Sequence, residues 1–167
     1  MKFEELEFTK KIAFLRRLHA ELNNILFDGK LKEDLKIDIC NISRYYDSDV
    51  WACFATNGYD IITSPTGTGI LFDHRFAEDA SKIYDSYGAD AQLRFICCTM
   101  LHEMVHQYIY ENGRTEDKTH KDIYMEESLK HGLRYENEGE PEPQYIDLMV
   151  MVDLLDTGIF YDFELSD

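Results

Sequence analysis

The stretch His102-Glu103-Met104-Val105-His106 holds two imidazoles four residues apart, with a carboxylate beside the first. On a helix, residues four apart lie one above the other on the same face. His102 and His106 can therefore offer two nitrogens to one metal ion, and Glu103 borders the same site. This is the H-E-x-x-H pattern, in which a metal polarises a water and the carboxylate takes its proton. Short patterns also arise by chance, so an ordinary core helix with two satisfied histidines is the plain competitor.

A catalytic zinc takes three protein ligands and leaves a fourth position open. The candidates for the third are His120, His131, Glu111, Glu116, Glu126 and Glu127. His120 is favoured, at the first turn of a helix predicted from Thr119 to Lys130 and beyond a loop long enough to reverse the chain. Glu126 and Glu127 remain the alternative. His131 falls at a predicted helix end, where the dipole favours a cationic side chain for structural reasons. Glu111 lies five residues beyond His106 and points elsewhere. His19 and His74 have no partner pattern and read as ordinary surface or half-buried histidines. Tyr108, Tyr124 and Tyr135 could each donate to an oxyanion, although in a chain with 11 Tyr each also reads as core or rim.

The elements that must position these groups follow from periodicity. Asp90 to Asn112 reads as one helix: Leu93, Ile96, Cys97, Met100, Leu101, Val105, Tyr108 and Ile109 recur at helical spacing. Asp90 is its predicted N-cap and Asn112-Gly113 its stop. Residues 3–26 carry a second apolar stripe, closed by the Asp28-Gly29 turn. Leu35, Ile37 and Ile39 alternate with polar residues, the period of a half-buried strand. Val50 to Thr56 and Tyr59 to Thr63 read as strands joined by a hairpin turn at Asn57-Gly58. Ile70-Leu71-Phe72 suggests another short strand, and Phe76 to Tyr84 is ambiguous before a break at Ser86-Tyr87-Gly88. Thr119 and Asp122 resemble a capping box, with Gly132 at the C-cap. Glu136 to Pro143 is an acidic linker, and Tyr145 to Leu155 is apolar and either helix or strand. The order gives an α+β domain with a small, mostly antiparallel sheet.

The 167 residues suit one domain, with 44% hydrophobic and 13% aromatic residues to build its core. We divide it into residues 1–135, which carry the site, and 136–167, a linker and apolar segment packing on the same domain. Against 33 Asp+Glu stand 17 Lys+Arg, a net charge of -16 that opposes binding to nucleic acid and to anionic membranes. No apolar run approaches the roughly 20 residues needed to span a bilayer. Met1-Lys2-Phe3-Glu4-Glu5 lacks the basic-then-apolar order of a signal peptide, so a cytoplasmic location is expected. Cys40, Cys53, Cys97 and Cys98 form no C-x-x-C pair, and neither a cysteine zinc site nor a disulfide framework is expected. Cys97 and Cys98 should pack as small hydrophobes.

Three stretches, in this order, resemble the SprT-like metallopeptidases, the family that includes the Spartan proteases acting on DNA–protein crosslinks. The first is Leu22-Asn23-Asn24-Ile25-Leu26-Phe27-Asp28-Gly29-Lys30-Leu31, similar to the family's Asn near a helix end followed by Phe-Asp-Gly-x-Leu. The second is Leu101 to Tyr108, around the histidine pair. The third is His120-Lys121-Asp122-Ile123-Tyr124, which resembles the later His-Gly-x-x-aromatic segment, with Lys121 where the family usually has Gly.

The resemblance implies a zincin-like fold, a Zn2+ ion held by His102, His106 and His120, and Glu103 as general base. It also implies a protein or peptide substrate held along the sheet edge by strand addition. The family's DNA-linked action is opposed here by the net charge and by the lack of a cysteine zinc ribbon or basic tail in the sequence. The expected function is a zinc-dependent metallopeptidase that cleaves peptide bonds with a metal-activated water. Two alternatives stand beside it. One is a zinc-bearing protein-binding or regulatory module with little turnover; the other is a repressor-cleaving regulatory peptidase with Glu126 or Glu127 as third ligand.

Overall fold

Apolar stripes at helical spacing become three long helices that cover one face of a small sheet. The computed structural model describes residues 1–42, 50–56, 64–116 and 119–164. A 3-10 turn at Phe3–Glu5 leads into α1, Phe8–Leu26. Strands β1, Lys36–Cys40, β2, Ala52–Ala55, and β3, Gly69–Asp73, follow, then α2, His74–Tyr87, and α3, Ala89–Glu111. After α4, Ile123–Lys130, come β4, Leu133–Tyr135, β5, Gln144–Ile146, α5, Leu148–Asp156, and α6, Ile159–Glu164. The molecule is α+β, as its sequence order suggests.

Side-chain alternation decides the two faces of the sheet. Ile37 and Ile39 of β1, Ala52 and Phe54 of β2, and Ile70 and Phe72 of β3 face the helices and join the main core. Cys53, Ala55 and Leu71 face away and form a smaller cluster with Ile42. The strand order is β1-β3-β2, and every residue of β3, the middle strand, is buried. Among the described residues two of the three ladders are antiparallel, β2 with β3 and β4 with β5. The third departs from expectation: β1 runs parallel to β3, Lys36 opposite Gly69 and Cys40 opposite Asp73. Among the described residues the strands also divide into two sheets rather than one. Alternation in a sequence marks a strand and its buried face but carries nothing about the direction of its neighbour, which the connections decide. The predicted strand Tyr59 to Thr63 and its Asn57-Gly58 turn lie outside the described residues.

The helix ends aim the site. Gly88, at φ 94°, closes α2 through its N–H to Tyr84 O and opens α3, so the N-cap is Gly88 rather than Asp90. The ambiguous Phe76 to Tyr84 segment is helical because Asp73 caps it, its side chain accepting from Arg75 N at 2.9 Å. At the end of α1, Asp28 and Gly29 both take left-handed backbone, φ 54° and 71°. Asn23 fixes this reversal by accepting from Leu31 N and donating to Leu31 O, both at 3.0 Å. That clamp is the physical content of the Asn…Phe-Asp-Gly-x-Leu stretch.

Residues 136–143 form the connection of the β4–β5 hairpin. The apolar segment after it is strand and then helix, and Ile146, Val150, Leu154, Ile159, Phe160 and Phe163 enter the main core. Phe163 packs at 4.8 Å from Phe14 of α1, ring centre to ring centre. All four cysteines are thiols, and Cys97 is fully buried. Burial pushes its thiol far up, and that of Cys98 up to about 12, so neither is a reactive thiolate. Among the described residues no helix is long and apolar enough to cross a membrane.

Candidate metal centre

Helix α3 sets His102 and His106 one turn apart with ring centroids 5.1 Å apart. The Nε2 atoms of the two rings are 3.3 Å apart. His120 brings its own Nε2 to 3.1 Å from that of His106. Three nitrogens placed about 2.05 Å from a common centre at tetrahedral angles are ~3.3 Å apart. The three rings thus converge around a point, and together they could hold a metal ion. The ring of Tyr124, fully buried, lies under all three at 4.5 to 5.0 Å.

The position of His120 corrects one expectation. It lies in the loop between α3 and α4, since α4 begins only at Ile123. His120 and Asp122 have φ of 58° and 51°, left-handed conformations that a right-handed helix cannot contain. The capping box of Thr119 and Asp122 is not formed either: Asp122 precedes the helix without a side-chain cap. Single left-handed non-glycine residues cost on the order of 1 kcal/mol and persist where the surroundings fix them.

Two residues orient the rings from behind. His106 Nδ1 meets Glu116 Oε1 at 2.5 Å. A carboxylate only accepts, so the proton sits on Nδ1 and the Nε2 lone pair is left for a metal. His102 Nδ1 meets Gln144 Oε1 at 2.7 Å, while Gln144 Nε2 donates to the Tyr135 hydroxyl, itself 2.6 Å from Ser128 Oγ. Ser128 Oγ donates to Met125 O and so accepts from Tyr135, which leaves the tyrosine oxygen to accept from Gln144 Nε2; the Gln144 oxygen is then the acceptor for His102, and Nε2 of that imidazole is again free. Glu116 Oε2 is buried and without a hydrogen-bond partner, a polar atom whose charge suits a neighbouring cation. Three imidazoles backed by a carboxylate and a carboxamide are a donor set that fits zinc.

Electrostatics follow from burial and neighbours. Burial pushes the Glu103 carboxyl up to about 7, with the nearby His106 and the N–H of Phe54 pulling against it. Burial, then the charge of His106, drives His102 down to about 3, so it is neutral and able to ligate over the ordinary pH range. For His106, burial opposes charge, but the hydrogen bond to Glu116 and the charges of Glu103 and Glu116 prevail and raise its pKa.

The other candidates lie elsewhere. Glu126 is exposed and pairs with Lys130 at 3.0 Å. Glu127 is buried against Arg114 at 2.7 Å. Glu111 accepts from Lys32 N and Gln107. His131 stacks on Phe27 at 4.4 Å and contacts Glu127 O. His19 is fully buried rather than half-buried, on Gln107 Oε1 at 2.8 Å. Tyr124 OH donates to His102 O, the Tyr135 hydroxyl is engaged by Gln144 and Ser128, and the Tyr108 ring packs between Phe27 and His131. Gln144 had no sequence signal, since only the β4–β5 pairing brings it beside His102.

Comparison with protein-family models, with curated proteins and with solved structures finds no match to this chain.

Proposed function

We propose that the protein is a zinc-dependent metallopeptidase of zincin-like architecture. The observation that carries this reading is the convergence of three Nε2 atoms, each of two rings held in its metal-binding tautomer by an outer acceptor, beside the buried carboxylate of Glu103. Zinc held by His102, His106 and His120 would polarise the scissile carbonyl and lower the pKa of a bound water to about 7. Glu103 then takes the proton of the attacking water and delivers it to the leaving amine. Its buried carboxylate lies 4.0 Å from His102 Nε2, close enough to the proposed metal position to serve both transfers. The likeness of three separate stretches to SprT-like peptidases supports the same chemistry. Net charge of -16 favours a protein substrate over nucleic acid.

Elemental analysis and a protease assay on the purified chain test the proposal. One zinc per chain is expected, with hydrolysis of a casein or quenched-peptide substrate that stops on chelation and returns with zinc. A chain that takes up no zinc, or hydrolysis indifferent to chelation, would overturn it.

A further inference from the structure

Phe95, Thr99, His102, His106 and Tyr110 fall within an arc of roughly 80° on α3. Four of them are half-buried and Tyr110 is exposed, so they make one strip that reaches solvent along a helix whose other faces are largely core. An aromatic pair stands at each end of the strip. At one end the Trp51 ring meets Phe95 edge-on with centroids 5.0 Å apart, while 49% of Trp51 stays exposed. At the other, Phe54 meets Tyr110 at 5.6 Å, and 47% of Tyr110 is exposed. Glu103, which accepts the N–H of Phe54, lies between them in sequence, eight residues after Phe95 and seven before Tyr110.

The helical rise puts the Cα atoms of Phe95 and Tyr110 about 22 Å apart. An extended chain covers that length in about six or seven residues. We propose that the substrate is an extended peptide with bulky apolar side chains about three residues to either side of the scissile bond. One side chain packs on the Trp51–Phe95 pair and the other on the Phe54–Tyr110 pair. The inference rests on the peptidase reading for what happens at the bond between them. The continuity of the strip with the histidines is what identifies its occupant: a chain lying across both ends must pass over the metal centre.

Trp51 is the sole tryptophan, so its emission reports occupancy of one end directly. Two synthetic decapeptides of identical composition, otherwise Gly and Ser, would be titrated into zinc-loaded Glu103→Gln protein. One carries Phe three residues to each side of its centre; the other carries both Phe together at one terminus. The same titration on the wild-type protein in chelator serves if the variant fails to fold. The spaced peptide should shift Trp51 emission saturably and bind about tenfold tighter, the worth of one well-packed aromatic contact. Tyr110→Ala should remove that advantage. Equal affinities, or an advantage that survives Tyr110→Ala, would overturn the inference. Wild-type protein that cleaves both peptides equally sinks this inference alone; spaced-peptide preference without cleavage sinks the hydrolase reading and leaves the strip as a binding site.

Discussion

At the residue scale, the proposed tasks of the centre fall on different groups and can be separated by substitution. Glu103→Gln should keep zinc bound and lower turnover by about 10²–10⁴-fold, the usual worth of a general base. Retained turnover, measured by peptide hydrolysis beside a zinc assay, would refute that role. Glu116→Gln and Gln144→Ala should act differently, loosening the metal about 10–100-fold because they orient rings rather than touch substrate. Competition against a chelating dye measures this, and unchanged affinity in both variants would contradict it. The His102/His106 pair was readable in the sequence because the helical period alone fixes their relation. Glu116 was readable only as a possible ligand and Gln144 not at all. Their roles depend on a loop reversal and on a hairpin, and no local pattern encodes a contact across 42 residues.

At the scale of elements, the joints carry the testable content. Asn23→Ala would leave the buried N–H and C=O of Leu31 without partners, a cost of about 1–3 kcal/mol in urea unfolding. Gly132, at φ 92°, offers a second case: a Cβ there would come within 2.9 Å of Val150 Cγ2. Gly132→Ala should destabilise by roughly 1 kcal/mol or more, since strained backbone and steric contact add; a neutral result would mean that β4 and α5 shift easily. Strand positions and the helix stripes were legible because alternation and helical spacing mark buried faces. The direction of β1 against β3 was not, and neither was the start of α4, where two left-handed residues override a sequence that reads as helical from Thr119.

The joint between α1 and α3 also makes stability depend on pH. Burial lowers the pKa of His19, with the hydrogen bond to Gln107 working the other way. Its folded pKa lies below the unfolded value of about 6.5, so the unfolded chain binds the proton first as pH falls. The contribution of His19 is therefore fully present above that value and is lost as pH drops below it. Urea midpoints at pH 8 and pH 5.5 should differ more for the wild type than for His19→Gln. Equal differences would show that His19 is not the group responsible.

For the whole molecule, metal and fold should be linked. The proposed ligands come from α3 and from the loop before α4, and their supports from that loop and from β5, so the ion would bridge segments that separate on unfolding. Free zinc at a thousandfold over its dissociation constant would stabilise the native state by about 4 kcal/mol. Calorimetry should show a higher melting temperature with zinc and a smaller rise in His120→Ala. A melting temperature indifferent to zinc would count against a site built into the native fold.

The β4–β5 hairpin has a practical consequence for anyone trimming this chain. Every histidine of the centre, and Glu103, precedes Tyr135, so a fragment ending there would contain all the reactive groups. It would lack the return strand that carries Gln144 and the helices that put Ile146, Val150, Leu154 and Phe163 into the core. His102 in such a fragment has no partner to choose its tautomer, and the floor beneath α1 is open. Counting proposed ligands therefore gives too short a unit: the core that backs the candidate centre extends through α6.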